Sequence, residues 1–231
     1  MPRAGKRMVT AAVEYGVGRA GIAAVRALDR DVIGQAHHPR GAAGSVNGWV
    51  FAHRPSNRQR NGWVVSLLGV RPADQVLEIG FGPGLAVAAL ARAGVGHVYG
   101  IDHSGVMLRQ AARRNAAAIR VGRVTLINAS VDQLPPALDG PFDAILAVNS
   151  LGFWPAPAER LAELRRRLAP GGRVAIASQP RCPGATADTS RSAAGEIEDL
   201  LRGAGFTHLS TETLRLSPPV VCVLASPDPS A

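Results

Sequence analysis

Past residue 70 the chain alternates between two kinds of patterning. Short apolar runs near 75–79, 97–102, 122–128, 142–148 and 172–178 have the length and β-branched content of buried strands. Between them, stretches near 84–93, 104–118 and 157–168 carry apolar residues at helical spacing. Residues 181–192 are rich in Pro, Gly, Ser and Thr and predict a loop. A helix over 193–204 is stopped by Gly205, and strands over 206–216 and 220–225 close the chain. Regular strand–helix alternation predicts an α/β fold, with a parallel sheet joined by right-handed crossovers.

Before residue 71 the pattern weakens. Val9 to Asp31 has helical composition, broken by Gly16, Gly18 and Gly21. A break over His37–Gly41 precedes two short amphipathic stretches, Val46–Arg54 and Asn57–Leu68, and Ser56 is placed to cap the second. We therefore expect a basic extension over 1–36, flexible or helical in part, and a helical segment over 37–70. The main α/β domain spans 71–226, and 227–231 is a polar tail.

The junction after the first strand carries the chemistry. Residues 76–86 read Val-Leu-Glu-Ile-Gly-Phe-Gly-Pro-Gly-Leu-Ala, with glycines at 80, 82 and 84. Gly80 and Gly82 permit a sharp turn and close approach of a ligand to the backbone. Gly84 lets the following helix pack closely. The next strand ends at Asp102, 24 positions after Glu78, where a carboxylate can accept from both hydroxyls of a ribose. Glu78 is an acid at the end of a buried strand. Its cost falls if it meets a cation, such as an amino-acid ammonium, or accepts loop N–H groups. The dinucleotide fingerprint G-x-G-x-x-G fails, since its third glycine would fall on Leu85 or Val87.

The E-x-G-x-G-x-G form instead resembles motif I of the class I S-adenosylmethionine (SAM)-dependent methyltransferases. The resemblance extends through Val124–Pro135, Phe142–Asn149 and the helix–turn–strand Leu161–Ala177, in order and at normal spacing. It also includes a bacterial "methyltransferase type 11"-like subgroup, whose segments appear here as Glu-Ile-Gly-Phe-Gly-Pro-Gly, Asp-His-Ser and Val-Asn-Ser…Phe-Trp-Pro. It implies a Rossmann-like seven-stranded sheet ordered 3-2-1-4-5-7-6, ending in an antiparallel hairpin. SAM is the implied cofactor and S-adenosylhomocysteine (SAH) the product. Contacts to SAM are implied for Glu78, Gly80, Phe81, Gly82 and Gly84 of the first turn, and for Asp102, His103 and Met107 of the second. Near the adenine, many relatives have Gly-Asp-Ala where this chain has Ala129-Ser130-Val131. Here the Ser130 hydroxyl, the Val131 N–H or Asp132 would take over those bonds.

The methyl acceptor is expected above the first and fourth strands. Asn149, Ser150, Phe153 and Trp154 follow the fourth strand. Asn149 is a candidate cofactor contact and a candidate catalytic group that holds a polar acceptor atom, or else a loop-capping asparagine. Phe153 and Trp154 either wall the acceptor or pack the next helix. Asn57, Arg58, Arg60, Asn61 and Trp63 are candidates to line a lid. His53 and then His38 are the candidate general bases, whereas His97 and His208 are placed at strand ends. Methyl transfer from a sulfonium needs alignment more than a dedicated catalytic residue.

Composition changes this picture little. The chain of 231 residues is 46% hydrophobic but only 4% aromatic, so Ala, Val, Leu and Ile must fill the core. A net charge of +9 is concentrated before residue 72, where basic residues exceed acidic ones by eight. That excess suits RNA or an anionic lipid, or is a solvated arginine-rich face. Two cysteines, no metal-ligand spacing, no signal peptide and no apolar membrane span suggest a metal-free protein of the reducing cytoplasm. The expected enzyme is a monomer or homodimer that methylates O or N of a small molecule, possibly a secondary metabolite. RNA or lipid headgroup methylation and a non-catalytic SAM-binding scaffold are the alternatives.

Overall fold

The computed structural model describes residues 55–228. The expectations for 1–54, including His38, His53 and the helices over 9–31 and 46–54, fall outside them, as do residues 229–231. The described chain runs α1 (Pro55–Leu67), β1 (Gln75–Ile79), α2 (Leu85–Ala93), β2 (His97–Asp102), α3 (Gly105–Arg114), α4 (Ala116–Arg120), β3 (Val124–Asn128), β4 (Phe142–Val148), α5 (Pro157–Arg166), β5 (Leu168–Ser178), α6 (Ala187–Gly203), β6 (His208–Leu214) and β7 (Val220–Ser226). The seven strands form one sheet, ordered β3-β2-β1-β4-β5-β7-β6, as expected. β1 to β5 pair in parallel, while β7 runs antiparallel to both β5 and β6.

Strand alternation divides the core between the two faces of this sheet. Val76, Val98 and Leu146 pack with Val64 and Leu68 around α1, and with Leu90 and Met107 of α2 and α3. Leu77, Ile79, Ile145 and Ile176 pack on the other face, against Leu161 and Leu164 of α5 and Ile197 and Leu201 of α6. Glu78 shares the parity of Val76 and so faces the α2 side.

Several boundaries differ from expectation. Ser56 lies inside α1, which begins at Pro55, a residue suited to a first helical turn because its missing N–H has no partner to lose. The helix expected over 104–118 divides at Asn115, whose backbone leaves the helical region and whose amide donates to the carbonyls of Ala111 and Gly84. β5 starts at Leu168 rather than 172. Leu168 pairs with Phe142, and a register shift accommodates the Pro-Gly-Gly excursion before Arg173 pairs with Ala144. Half of the loop expected over 181–192 is helix. Thr186 and Thr189 form a reciprocal capping box that starts α6 at Ala187.

Candidate functional site

A cavity of about 330 Å³ opens over the carboxyl ends of β1, β2 and β4. Its floor is the turn after β1. Gly80, Gly82 and Gly84 all adopt positive φ, at 76°, 50° and 76°. Each has a different reason to be glycine. A Cβ on Gly80 would stand 2.5 Å from the Cβ of Ser150, so the close approach there is by the loop after β4. A Cβ on Gly84 would meet Ala111 of α3 and Asn115 just past its end, at 2.8 and 2.7 Å, rather than the sheet. Gly84 does not itself line the cavity. At Gly82 a Cβ would enter open space, and this glycine lines the cavity.

Neighbouring elements brace this turn. Asp102 closes β2, and its carboxylate accepts from Gly82 N–H and Ser104 N–H, both at 2.8 Å. Burial raises the pKa of Asp102, opposed first by the Ser104 N–H and then by the Gly82 N–H. Ser104 also caps α3 by accepting from Met107 N–H. Arg114 donates to the Pro83 carbonyl at 2.6 Å and Asn115 to that of Gly84 at 3.2 Å. Phe81 is buried beneath the turn, in space that Gly100 leaves open: a Cβ there would lie 2.9 Å from the Phe81 ring.

Glu78 is the unusual group. It is 2% exposed and lines the cavity, and its Oε2 is buried without a hydrogen-bond partner. Burial pushes its carboxyl up to about 8, only partly offset by the Val87 N–H and reinforced by nearby Asp102. A cation placed against it would satisfy the orphaned oxygen and restore its charge. The residues therefore fit an aminoacyl nucleoside: its ammonium at Glu78, its sugar at Asp102 and its chain over Gly82. The far wall is Ala129, Ser130 and Val131, beyond β3. The Ser130 hydroxyl donates to Asp132, so it meets an incoming donor with its remaining lone pairs. His103 and Met107 line the same end, His103 with its Nδ1 3.9 Å from Asp102.

Across the cavity, Asn149 has φ 56° and accepts from the Gln179 N–H at 2.7 Å through Oδ1. Its oxygen thus caps the loop after β5 with one lone pair, leaving the amide N–H groups and the second lone pair for a ligand. Ser150 lines the cavity, but its hydroxyl is committed to the Ile79 carbonyl at 2.6 Å, so it braces β1. Phe153 is half-exposed at the rim, while Trp154 is buried and joins both the cavity wall and the core under α5.

α1 roofs the cavity with one face only. Asn57, Arg60 and Asn61 lie at i, i+3 and i+4 and line it. Arg58 points to solvent, and Trp63 packs against the core instead of lining the cavity. Helical periodicity turns both off the lining face. Arg181 lines the cavity without any sequence signal, and Gln179 stands behind it. They lie about 120 residues from α1 and meet it only through the fold. Among the described residues no cluster suits a metal ion, and no helix is long and apolar enough to cross a membrane.

A methyltransferase-domain family model matches residues 76–172. An uncharacterized methyltransferase, YdaC of Bacillus subtilis, is 32% identical over 183 residues, covering 78% of this chain and 97% of the relative. A ubiquinone biosynthesis O-methyltransferase of Alkalilimnicola ehrlichii is 32% identical over 127 residues, 55% of this chain and 50% of the relative. The fold is similar to that of the N-methyltransferase NodS of Bradyrhizobium japonicum, solved with SAH, with a TM-score of 0.62 at 19% identity, covering 78% of this chain and 92% of NodS. The glycine turn, the acid ending β2, the sheet order and the full-length match to a methyltransferase relative together establish that the chain belongs to the class I SAM-dependent methyltransferases.

Proposed function

We propose that this enzyme transfers the methyl group of SAM to an oxygen or nitrogen of a small molecule, in the cytoplasm. The observation that carries the acceptor class is the cavity itself. It is roofed by α1 and walled on the β4 side by Phe153 and Trp154, across from the glycine turn. Enclosure of the β4 side by α1, Phe153 and Trp154 suits a small acceptor rather than a polymer surface.

SAM supplies a sulfonium-bound methyl already activated for displacement. The chain's residues supply placement. Glu78 and Asp102 hold the two polar ends of the aminoacyl nucleoside, and the Gly80–Gly84 turn fixes its depth. Trp154 and Phe153 exclude water from the β4 side. The Asn149 amide presents N–H donors toward an acceptor while Gln179 N–H fixes its oxygen. Alignment of this kind can contribute on the order of 7–11 kcal/mol at best. Asn149 is thus proposed to orient the acceptor rather than remove its proton.

A second reading, an RNA or lipid headgroup substrate, draws on the charge excess before residue 72. SAH release separates the two. Incubation with SAM and a panel of small hydroxyl, carboxyl and amine compounds should release SAH with at least one. Release only with RNA or with anionic vesicles would replace the small-molecule reading.

A further inference from the structure

Charge is divided unequally along the described chain. From Pro55 to Arg123, nine arginines stand against three acids. α1 to α4 lie in this stretch, and all four pack on the same face of the sheet. The three acids are buried: Asp74 is paired with Arg173, while Glu78 and Asp102 belong to the cavity. Beyond residue 123, nine arginines meet eleven acids. Every described arginine within ion-pair distance of a described acid belongs to that later part. The 54 residues before α1 carry eight basic and three acidic side chains, so they add to the excess rather than cancel it.

Six of the nine arginines, Arg58, Arg71, Arg92, Arg109, Arg113 and Arg120, are exposed. Two relationships join the helices that carry them. Burial, and then the charge of Arg58 on α1, lower the pKa of Arg114 on α3, so α1 and α3 bring guanidinium groups together. Arg123 Nη2 donates to the Ala91 carbonyl at 2.9 Å, which sets the chain after α4 beside Arg92 in the last turn of α2. Like charges without acidic partners repel one another across such a face, and a polyanion relieves that repulsion.

Val121 distinguishes among polyanions. It is 68% exposed, more than any other large apolar side chain among the described residues. It caps α4 between Arg120 and Arg123, on a turn completed by Gly122 at φ 71°. Ala116 and Ala117 of the same short helix are exposed as well. An apolar tip flanked by guanidinium groups suits a lipid headgroup layer, where the methyl groups enter and the long basic side chains stay at the phosphates. Unpaired RNA bases call instead for exposed aromatic rings, and no Phe, Tyr or Trp is exposed on α1 to α4.

We propose that the α1–α4 face docks on an anionic lipid bilayer, with Val121 in the headgroup layer and the arginines against lipid phosphates. This is a docking surface outside the acceptor cavity, and it goes beyond the methyl-transfer reading.

Co-sedimentation of the full chain with vesicles tests it, using phosphatidylcholine alone and an equal mixture of phosphatidylcholine and phosphatidylglycerol. The chain should bind the mixed vesicles only, and raised salt should release it. Combined Arg109→Gln, Arg113→Gln and Arg120→Gln should weaken binding by about tenfold or more. Combined Arg166→Gln, Arg191→Gln and Arg202→Gln removes the same charge from exposed positions on α5 and α6 and should leave binding within about twofold. Val121→Ser should weaken binding by about threefold or more. The proposal is overturned if wild type ignores the mixed vesicles at low salt, or if the first triple variant or Val121→Ser binds them like wild type. It is also overturned if both triple variants lose binding alike, because net charge rather than this face would then be responsible. Tighter binding to duplex RNA than to mixed vesicles at matched phosphate concentration would assign the face to nucleic acid and overturn it too. No cofactor or acceptor is present in these measurements, so they are read independently of the methyl-transfer reading.

Discussion

Gly82 donates its backbone N–H to Oδ2 of Asp102 at 2.8 Å, so the tip of the glycine turn is held by the end of the neighbouring strand. The acid expected to bind the ribose also shapes the turn beneath it. Asp102→Ala removes acceptors for two backbone N–H groups as well as those for the sugar hydroxyls. SAH binding should weaken by roughly 1–3 kcal/mol. Asp102→Asn, which keeps one acceptor oxygen, should fall between. Calorimetry that finds the Ala variant binding like wild type would show the sugar held elsewhere.

Gly80 and Gly82 should respond differently to alanine. Gly80→Ala combines positive φ with a 2.5 Å approach to Ser150 Cβ, in a loop pinned by the bond from Ser150 to Ile79. It should lose about 2–4 kcal/mol of stability. Gly82→Ala meets no neighbour and should cost about 1 kcal/mol of backbone strain, yet it narrows the cavity. Urea unfolding and SAH titration on both variants would separate the effects. Equal stability losses would contradict this assignment.

Glu78 links cofactor binding to pH. Its folded pKa of about 8 lies above the ordinary carboxyl value of 4.5, so the folded free protein holds a proton there at neutral pH. The favourable contribution is complete below the ordinary value and is lost as pH rises through about 8. Glu78→Gln should therefore leave thermal stability nearly unchanged at about pH 5 and raise it by about 2–5 kcal/mol at about pH 9. Binding of an ammonium displaces the proton. SAH affinity should then rise with pH, by up to about tenfold per unit from about pH 5 to about pH 7, and the slope should vanish in Glu78→Gln. A flat wild-type profile would remove the ammonium from this site.

Arg173 ties the roof to the sheet. Its guanidinium donates to the Leu68 and Gly69 carbonyls that follow α1, to the Asp143 carbonyl, and to buried Asp74 at 2.9 Å. Arg173→Ala leaves that buried carboxylate with the Arg71 N–H but without its counter-charge, and frees the end of α1. A loss on the order of 3 kcal/mol in stability is expected, with weaker SAH binding as the roof loosens. A change under about 0.5 kcal/mol would mean that α1 is held by its apolar face alone.

The sheet order and the cofactor end of the site were legible because both rest on local pattern. Strand–turn–helix with glycines at 80, 82 and 84, and an acid closing the next strand, are adjacent in sequence. Long-range partners left no such trace. That Gly80 accommodates Ser150, that Gly84 accommodates α3, and that Gln179 gathers Arg60 and Arg181 all depend on segments far apart in the chain. Capping chemistry misled the reading in two places. Pro55 rather than Ser56 opens α1, and Thr186 starts a helix inside what its composition marks as loop. The face of α1 was only half read. Of the five residues named on it, Asn57, Arg60 and Asn61 line the cavity, while Arg58 and Trp63 lie off that face.

A crystal structure of the protein grown with SAH tests the central claim most directly. The account predicts the sugar hydroxyls against the Asp102 carboxylate, the amino group against Glu78, and the chain between them over Gly82. A nucleoside bound in any other cleft, or oriented with its base over Glu78, would contradict it.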